Sequence, residues 1–373
     1  MKILVVPSWY PPYGGRFFKY QAEELAKLGH QVDVLVLHEI GFTTKVNTKI
    51  NNEKSNFANE IIHSYKRIPK LNNLNIFLYI KKYKKILRKY LNNNRVDVIQ
   101  VHSAIWAGVA VSEIAKKYNI PFVITEHRSL FFKKEFPFPE SLKNKVKLAF
   151  DNANVIISVS NEMKNIIKNY TTSKIEVIPN MVNTNLFISK KIKEKEHVFT
   201  FLTVGGLVRQ KGIDVLIKAF IKLEKELKNK IQLKIIGEGS EEKELKKIAL
   251  QTSKKIHFLG YKTIEELNVE YNKSDVFVSS SREEPFGVVI IEAMSCGLPI
   301  VATNCAGPID IVNKDIGYLA EIEDIEDLYI KMRKMYENYL NFNAETIRQT
   351  TINNYSYKIV INKIEKILLD IKN

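Results

Sequence analysis

Two glutamates with seven residues between them, Glu284 and Glu292, stand in the stretch 279–307, SSSREEPFGVVIIEAMSCGLPIVATNCAG, where the chain concentrates its chemistry. A carboxylate accepts two hydroxyl hydrogen bonds at once, which suits the vicinal diols of a ribose or a sugar ring. Between the two acids lies a helix start, near Phe286 to Val289, whose unpaired N–H groups and partial positive charge suit a phosphate. Diol acceptors and a phosphate cradle can thus face one crevice.

These residues must be held by strand, loop, helix and strand in succession. The apolar run Val276-Phe277-Val278 reads as a strand, and Pro285 and Gly287 break it. VVIIEAMSC is then helical until Gly297 and Pro299 stop it. Glu284 falls in the loop at the carboxyl end of a strand, and Glu292 one to two turns into the following helix. A bare pair of glutamates at this spacing is more often two solvated helix-end charges, so the surrounding residues decide the reading.

Those residues resemble the E-x7-E signature of retaining glycosyltransferases of family 4, which have the GT-B fold. Glu284, Phe286, Gly287, Glu292, Ala293, Met294, Gly297 and Pro299 meet the pattern one by one. The resemblance implies an α/β protein of two Rossmann-like domains, parallel sheets facing across a cleft. Its reaction would move a hexose or N-acetylhexosamine from a nucleotide sugar, most simply a UDP-sugar, to a hydroxyl of a glycan or lipid-linked glycan, with retention. Glu284 would hold the hydroxyls of the transferred sugar and Glu292 the ribose, with Phe286, Gly287 and Val288 lining the donor. His127, in VITEHRSL, matches the family histidine near the reacting carbon, and Gly14 and Gly15 match the loop that brings backbone close to the diphosphate. Ser160 in SVSN resembles another family position.

In the turn GGLVRQKG the family has Gly-Arg followed by Lys, two cations for the diphosphate. Lys211 and Gly212 are kept. Gly206 stands where the Arg is expected, and Arg209 is the cation of the same loop left to supply that charge. Tyr261 and Lys262 would lie against the base. The chain has no D-x-D sequence, so no metal and no cofactor are expected, protein cations and the helix N-terminus taking a metal's place. Val177 to Asn180 resembles the family segment V-I-P-N-G that closes the first domain, with Met181 for the Gly.

Length and pattern give the organisation. At 373 residues the chain exceeds one ordinary core. Strand and helix alternate from Lys2 to Val6 onward, with strands at Val32 to Leu37, Asp97 to Val101, Pro121 to Thr125, Val155 to Val159 and Glu176 to Ile178. Helices fit Phe17 to Leu28, Ile105 to Tyr118, Ser141 to Ala153 and Asn161 to Tyr170. Residues 41–60 read as an irregular polar insertion and 188–196 as a charged linker. With this division the family resemblance implies an acceptor domain at 1–187, a donor domain at 188–354, and a terminal helix from about 355 to 373 returning to the first. A second series begins with the strand Phe199 to Val204, the helix Ile213 to Leu227 and the strands Gln232 to Ile236 and Ile256 to Leu259. Asp324 to Tyr339 and Ala344 to Ile371 read as helical.

Charge is uneven. Residues 1–185 carry 28 Lys and Arg against 14 Asp and Glu, and the remainder 29 against 27. The helix Leu74 to Leu91 interleaves Lys81, Lys82, Lys84, Lys85, Arg88 and Lys89 with apolar residues, so it is either a solvated outer face or a contact for anionic lipid. No run of about 18 uncharged apolar residues occurs. The N-terminus does not read as a signal peptide, and Cys296 and Cys305 have no metal or disulfide spacing. A cytoplasmic protein, peripheral on the inner face of a membrane, is expected. A sugar-nucleotide epimerase would share these features but need no acceptor. A nucleic-acid module lacks a stacking platform, and GEGSEE lacks the third Gly and the downstream acid of an NAD site.

Overall fold

The computed structural model describes residues 1–372 apart from 13, 42–57, 134, 191–197, 229 and 251–252. It divides into two compact units, one of Met1–Pro179 with Val360–Asn373 and the other of Asn180–Ile359.

In the first unit seven strands run parallel: β1 Lys2–Pro7, β2 Gln31–Ile40, β3 Asn59–Lys66, β4 Val98–His102, β5 Phe122–Glu126, β6 Val155–Ser158 and β7 Ile175–Val177. Their order is β3-β2-β1-β4-β5-β6-β7. The central strands are buried apart from Lys2 at the start of β1, as a parallel sheet covered by helices on both faces requires. Strand order reverses between β1 and β4, and the crevice beyond the carboxyl ends there is where such sheets take ligands.

The basic helix Asn72–Asn93 shows how the sequence fixes this packing. Its buried face carries Tyr79, Tyr83 and Tyr90, and their hydroxyls donate to Leu37 O (2.5 Å), Leu35 O (2.6 Å) and the Asp33 carboxylate. Four helical residues rise about 6 Å and two strand residues about 6.6 Å. Tyrosines four apart on the helix therefore meet carbonyls two apart on β2.

Six strands form the second unit: β8 Phe199–Val204, β9 Ile231–Ile236, β10 Ile256–Phe258, β11 Val276–Ser279, β12 Ile300–Thr303 and β13 Gly317–Ala320. The order β10-β9-β8-β11-β12-β13 repeats the doubly wound plan, with its reversal between β8 and β11. The helices Ile213–Leu227 and Ile325–Asn338 cover one face.

The structure departs from the sequence reading in several places. β3 was not expected; NEIIHSYK mixes polar and apolar residues because it lies at the sheet edge, where most of its positions are only half-buried. The helix expected from Ile105 begins at Val109, since Ile105 and Trp106 have non-helical backbone angles. Ala344 to Ile371 is two helices, Ala344–Tyr355 and Tyr357–Lys372, because Ser356 is extended. The units part at Pro179/Asn180 rather than after residue 187, with the tail's share of the first unit starting at Val360 rather than 355. Residues 180–187 are bound inside the second unit, where Val182 N–H donates to Tyr355 O and Arg348 donates to Thr184 O and Phe187 O. The tail joins the first unit through Glu365 and His30, 2.7 Å apart. Of the expected insertion and linker, 42–57 and 191–196 lie outside the described residues.

Tyr83→Phe should lower the unfolding free energy by about 1 kcal/mol, the net worth of a buried hydrogen bond. Denaturant titration measures it, and an unchanged midpoint would show that the hydroxyl adds nothing.

Candidate functional site

In the second unit the loops after β8 and β11 meet at the reversal of strand order. The Lys211 ammonium lies 2.5 Å from Glu284 Oε2, with the lysine side chain 29% and the glutamate 12% exposed. Burial pushes the lysine pKa down, but the adjoining carboxylate and its hydrogen bond more than offset this, leaving it above the usual value. Local backbone fixes the pair. Gly212 has φ 59°, and a Cβ there would lie 2.1 Å from Ser280 O. That close approach lets Ser280 Oγ donate to Lys211 O at 3.0 Å. Glu284 O in turn accepts from Gly307 N at 2.9 Å.

The helix Val288–Ser295 begins directly beyond, capped by Gly287 in the left-handed region. Gly287 and Val288 thus belong to an amino-terminal turn beside the ion pair. Phe286 contributes differently from expectation: its ring is buried against Tyr355, centroids 5.8 Å apart, so only its backbone can face a ligand. Glu292 accepts from the hydroxyl of Tyr271 at 3.0 Å. Burial and the neighbouring carboxylate hold the Tyr271 phenol protonated, so it serves Glu292 as a fixed donor.

Arg209 is exposed on the short turn Arg209–Lys211. The better-anchored cation nearby is Arg282, which sequence reasoning missed. Its guanidinium grips both Asp214 oxygens (2.9 and 3.0 Å), Glu323 (2.5 Å) and the Arg209 carbonyl (2.7 Å). With these partners it ties the β11 loop to the first turn of Ile213–Leu227. Tyr261 is exposed, its N–H 3.4 Å from Glu238 Oε1, and Lys262 pairs with Glu266 at 3.5 Å. Cys296 and Cys305 are buried, and burial lifts their thiols to about 12 and about 11.

The first unit gathers a second group at its own reversal point. His127 follows β5, its Nε2 3.2 Å from Nδ1 of His102, which ends β4. Phe18 stacks on His102 at 4.2 Å, and the Phe17 and Phe18 rings lie 4.9 and 5.0 Å from His127. Gly14 and Gly15 precede these phenylalanines. A Cβ on Gly15, at φ 75°, would meet the Phe18 ring at 2.8 Å and Trp9 at 3.1 Å. Ser160 is accounted for locally, its hydroxyl capping the helix Asn161–Ile167 at Met163 N.

Glu126 was also missed, although it stands beside His127 in the sequence. It is fully buried and accepts from Ser103 Oγ (3.0 Å) and the backbone N–H groups of Ala104 (2.7 Å), His127 (2.9 Å) and Arg128 (2.9 Å). The carboxylate clamps the loops after β4 and β5 and so sets the backbone that carries His127. Burial raises its pKa, while these hydrogen bonds and Arg128 pull the other way.

On the helix Asn72–Asn93, Lys81, Lys82, Lys85, Arg88 and Lys89 are exposed, whereas Lys84 is half-buried and paired with Glu113 at 2.5 Å. No helix among the described residues is long and apolar enough to cross a membrane. Among the same residues no three His, Cys, Asp or Glu side chains are grouped to hold a metal ion.

Two doubly wound units, each with polar side chains gathered at its strand-order reversal, define a GT-B type of protein. Comparison with known families agrees. Residues 14–186 match the family described as Glycosyltransferase Family 4, and residues 185–356 that described as Glycosyl transferases group 1. The chain belongs to the family 4 glycosyltransferases of GT-B fold, and its activity is glycosyl transfer. An uncharacterized glycosyltransferase of Methanocaldococcus jannaschii is 29% identical over 91% of this chain and 89% of its own length. The sucrose-phosphate synthase structure from Thermosynechococcus elongatus superposes with TM-score 0.83 at 19% identity, covering 99% of each chain. A structure of HepE from Anabaena in complex with UDP has TM-score 0.76 at 18% identity, covering 99% of this chain and 100% of that one.

The state of His102 gives a pH prediction. Burial pushes its imidazole down to about 3, so between about pH 6.5 and pH 3 the unfolded chain binds a proton that the native state does not. Stability is therefore present above pH 6.5 and falls as pH drops, by up to about 1.4 kcal/mol per unit from this group. Denaturation of wild type and His102→Asn across that range should show the stability gap constant above pH 6.5 and changing in the variant's favour below it. A gap that does not vary with pH would mean that His102 titrates normally.

Proposed function

We propose that the second unit binds a nucleotide sugar, a UDP-sugar, and that the enzyme transfers its glycosyl group with retention to a hydroxyl of a glycan or lipid-linked glycan, without a metal. The observation that carries the reading is the Lys211–Glu284 pair at the amino-terminal turn of Val288–Ser295. A diphosphate arriving there would take Lys211 as its cation and the leading N–H groups of the helix as donors. Glu284 would then be released to accept from sugar hydroxyls.

The remaining roles are those that the family resemblance implies. Glu292, oriented by Tyr271, would take the ribose diol, and Tyr261 with Lys262 would flank the base. The leaving UDP gains negative charge as the glycosidic bond breaks. A cation and N–H dipoles already in place stabilise that charge without reorganising. Arg209 would add to the field, and Arg282, already held by two acids, would act by fixing the loop. His127 would orient the sugar at the reacting carbon, with Glu126 setting its backbone. The UDP in the Anabaena complex supports the choice of nucleotide, and Gly14 and Gly15 would admit the diphosphate closely.

The basic helix would bring the enzyme to an anionic membrane carrying its acceptor, through Lys81, Lys82, Lys85, Arg88 and Lys89, at about 1 kcal/mol for each cation near the surface. Lys84 contributes less, being paired. A cytoplasmic, peripheral enzyme of surface-glycan synthesis is the role that combines these features.

Purified enzyme screened against nucleotide sugars should show thermal stabilisation by one of them, about 2.7 kcal/mol at ~100 times its dissociation constant. Glu284→Gln should cut turnover by more than about tenfold while UDP still binds, because the lost contacts are to the sugar. Full activity in that variant would end the assignment of Glu284. Glu292→Gln should weaken UDP itself by roughly tenfold, and unchanged affinity would remove the ribose role.

Sedimentation with vesicles tests the membrane reading. The protein should pellet with anionic but not neutral vesicles, be released by high salt, and bind more weakly when Lys81, Lys82 and Lys85 become Gln. Binding to neither kind would leave the helix as an ordinary solvated face.

A further inference from the structure

The first unit contains a cavity of about 650 Å³ between the loop after β1, the end of β2 and the first turns of the helix Asn72–Asn93. Its apolar wall is made by Trp9, Ile40, Ile76, the Tyr79 ring, Trp106 and Phe138. The polar side chains around it are largely committed elsewhere. Ser8 donates to Ile105 O, Tyr10 to Glu60, and Tyr79 to Leu37 O. Asn75 is spent on Ile68 and Tyr65, while Arg67 binds Glu39 and Asn72. A pocket that selects glycans needs open donors and acceptors for their hydroxyls, because a buried hydroxyl without a partner costs binding energy. This cavity offers mainly aromatic and aliphatic surface.

Two polar groups beside its aromatic wall keep a buried donor without a hydrogen-bond partner among the described residues, the Trp106 indole Nε1 and the Arg128 guanidinium, the latter also attracted to the Glu126 carboxylate. The Arg128 guanidinium sits over the Trp106 ring at 4.2 Å and the Trp9 ring at 5.2 Å, two of the rings that line the cavity, and its Nη1 is buried with no hydrogen-bond partner among the described residues. A buried guanidinium N–H left in that condition favours any anion that can reach it. On the other side, Ile76 also lines a smaller groove with Phe77, Ile80 and Leu142. That groove leads to the exposed Leu74 and Phe77 and to Lys145, which lies 5.2 Å from the Phe77 ring. An apolar track thus runs from the cavity to the surface that carries the helix cations.

We propose that this cavity holds the hydrocarbon chain of a lipid phosphate, with Arg128 reading the phosphate and the track over Ile76 and Phe77 leading the chain toward the membrane surface. The proposal rests on the glycosyltransferase reading above and deepens it, making the acceptor a lipid-linked one recognised through its lipid rather than its glycan. The single-residue contributions are aromatic and aliphatic contact from Trp106, Phe138 and Ile76, and charge-assisted hydrogen bonding from Arg128.

The chain supplies its own reporter, since its two tryptophans, Trp9 and Trp106, both line the cavity. Intrinsic fluorescence of the full-length enzyme, titrated with farnesyl phosphate below its micellar concentration, should change saturably. Farnesol should bind at least about tenfold more weakly, and inorganic phosphate or maltose should give no change. Ile76→Glu should weaken farnesyl phosphate by about tenfold or more, and Arg128→Gln should bring farnesyl phosphate and farnesol to similar affinity. Calorimetric UDP binding, read on the same samples, separates the two claims, and the circular-dichroism spectrum and melting of each variant report that it is folded. Absence of a saturable fluorescence change in enzyme that binds UDP would overturn the lipid site, as would a saturable response to maltose with none to farnesyl phosphate. Failure of UDP to bind would instead strike at the donor reading, while the fluorescence titration would still decide the cavity.

Discussion

The contact between Lys211 and Glu284 organises the second unit. Opposite charges held at 2.5 Å and partly removed from water need their backbones fixed on both sides, and the surrounding residues do that. Gly212 lets the loop after β8 run against Ser280, and Gly307 N–H holds the Glu284 carbonyl. Arg282 pins the same two loops through Asp214 and Glu323. A site built this way keeps its cation and its carboxylate in register before any ligand arrives. In our reading the diphosphate and the sugar hydroxyls exchange partners with the pair, so each ligand group replaces a protein contact.

A comparable constraint operates in the first unit, carried by a buried carboxylate. Glu126 gathers three backbone N–H groups and a serine hydroxyl, which satisfies its oxygens where water is excluded. This side chain joins the strand pairing and the Ser103 N–H to Thr125 O bond in fixing the strand ends that bear His102 and His127. The strained backbone at Ser103 and Trp106, both at positive φ, lies in the loop it clamps. That loop presents Trp106 to the cavity, so the clamp connects the histidine cluster with the apolar wall.

How much of this the sequence discloses depends on the range of the forces involved. Apolar runs such as Val276-Phe277-Val278 announce buried strands, and the doubly wound order follows from alternation of strand and helix. Sheet edges and backbone breaks are less visible: β3 lacks a clear apolar run, and Ser356 interrupts a helical pattern without Pro or Gly. Residues of the E-x7-E stretch stand out in the sequence because their types and spacing repeat a known pattern. Glu126, Tyr271 and Arg282 do not, since their importance arises from partners on other loops, such as Asp214, 68 residues from Arg282. Phe286 belongs to the same pattern as its neighbours, yet burial turns its side chain to the core. The six cations of the basic helix read alike in sequence, and only the structure separates Lys84, paired with Glu113, from the rest.

The central claim is that Lys211 is the diphosphate cation and that Glu284 holds it in reserve for the sugar. Calorimetric affinity for UDP in wild type, Lys211→Ala, Glu284→Ala and the double variant tests it most directly. The account predicts that Lys211→Ala weakens UDP by roughly ten- to hundredfold, that Glu284→Ala does not weaken it, and that the double variant matches Lys211→Ala. Unchanged UDP affinity in Lys211→Ala would contradict the account.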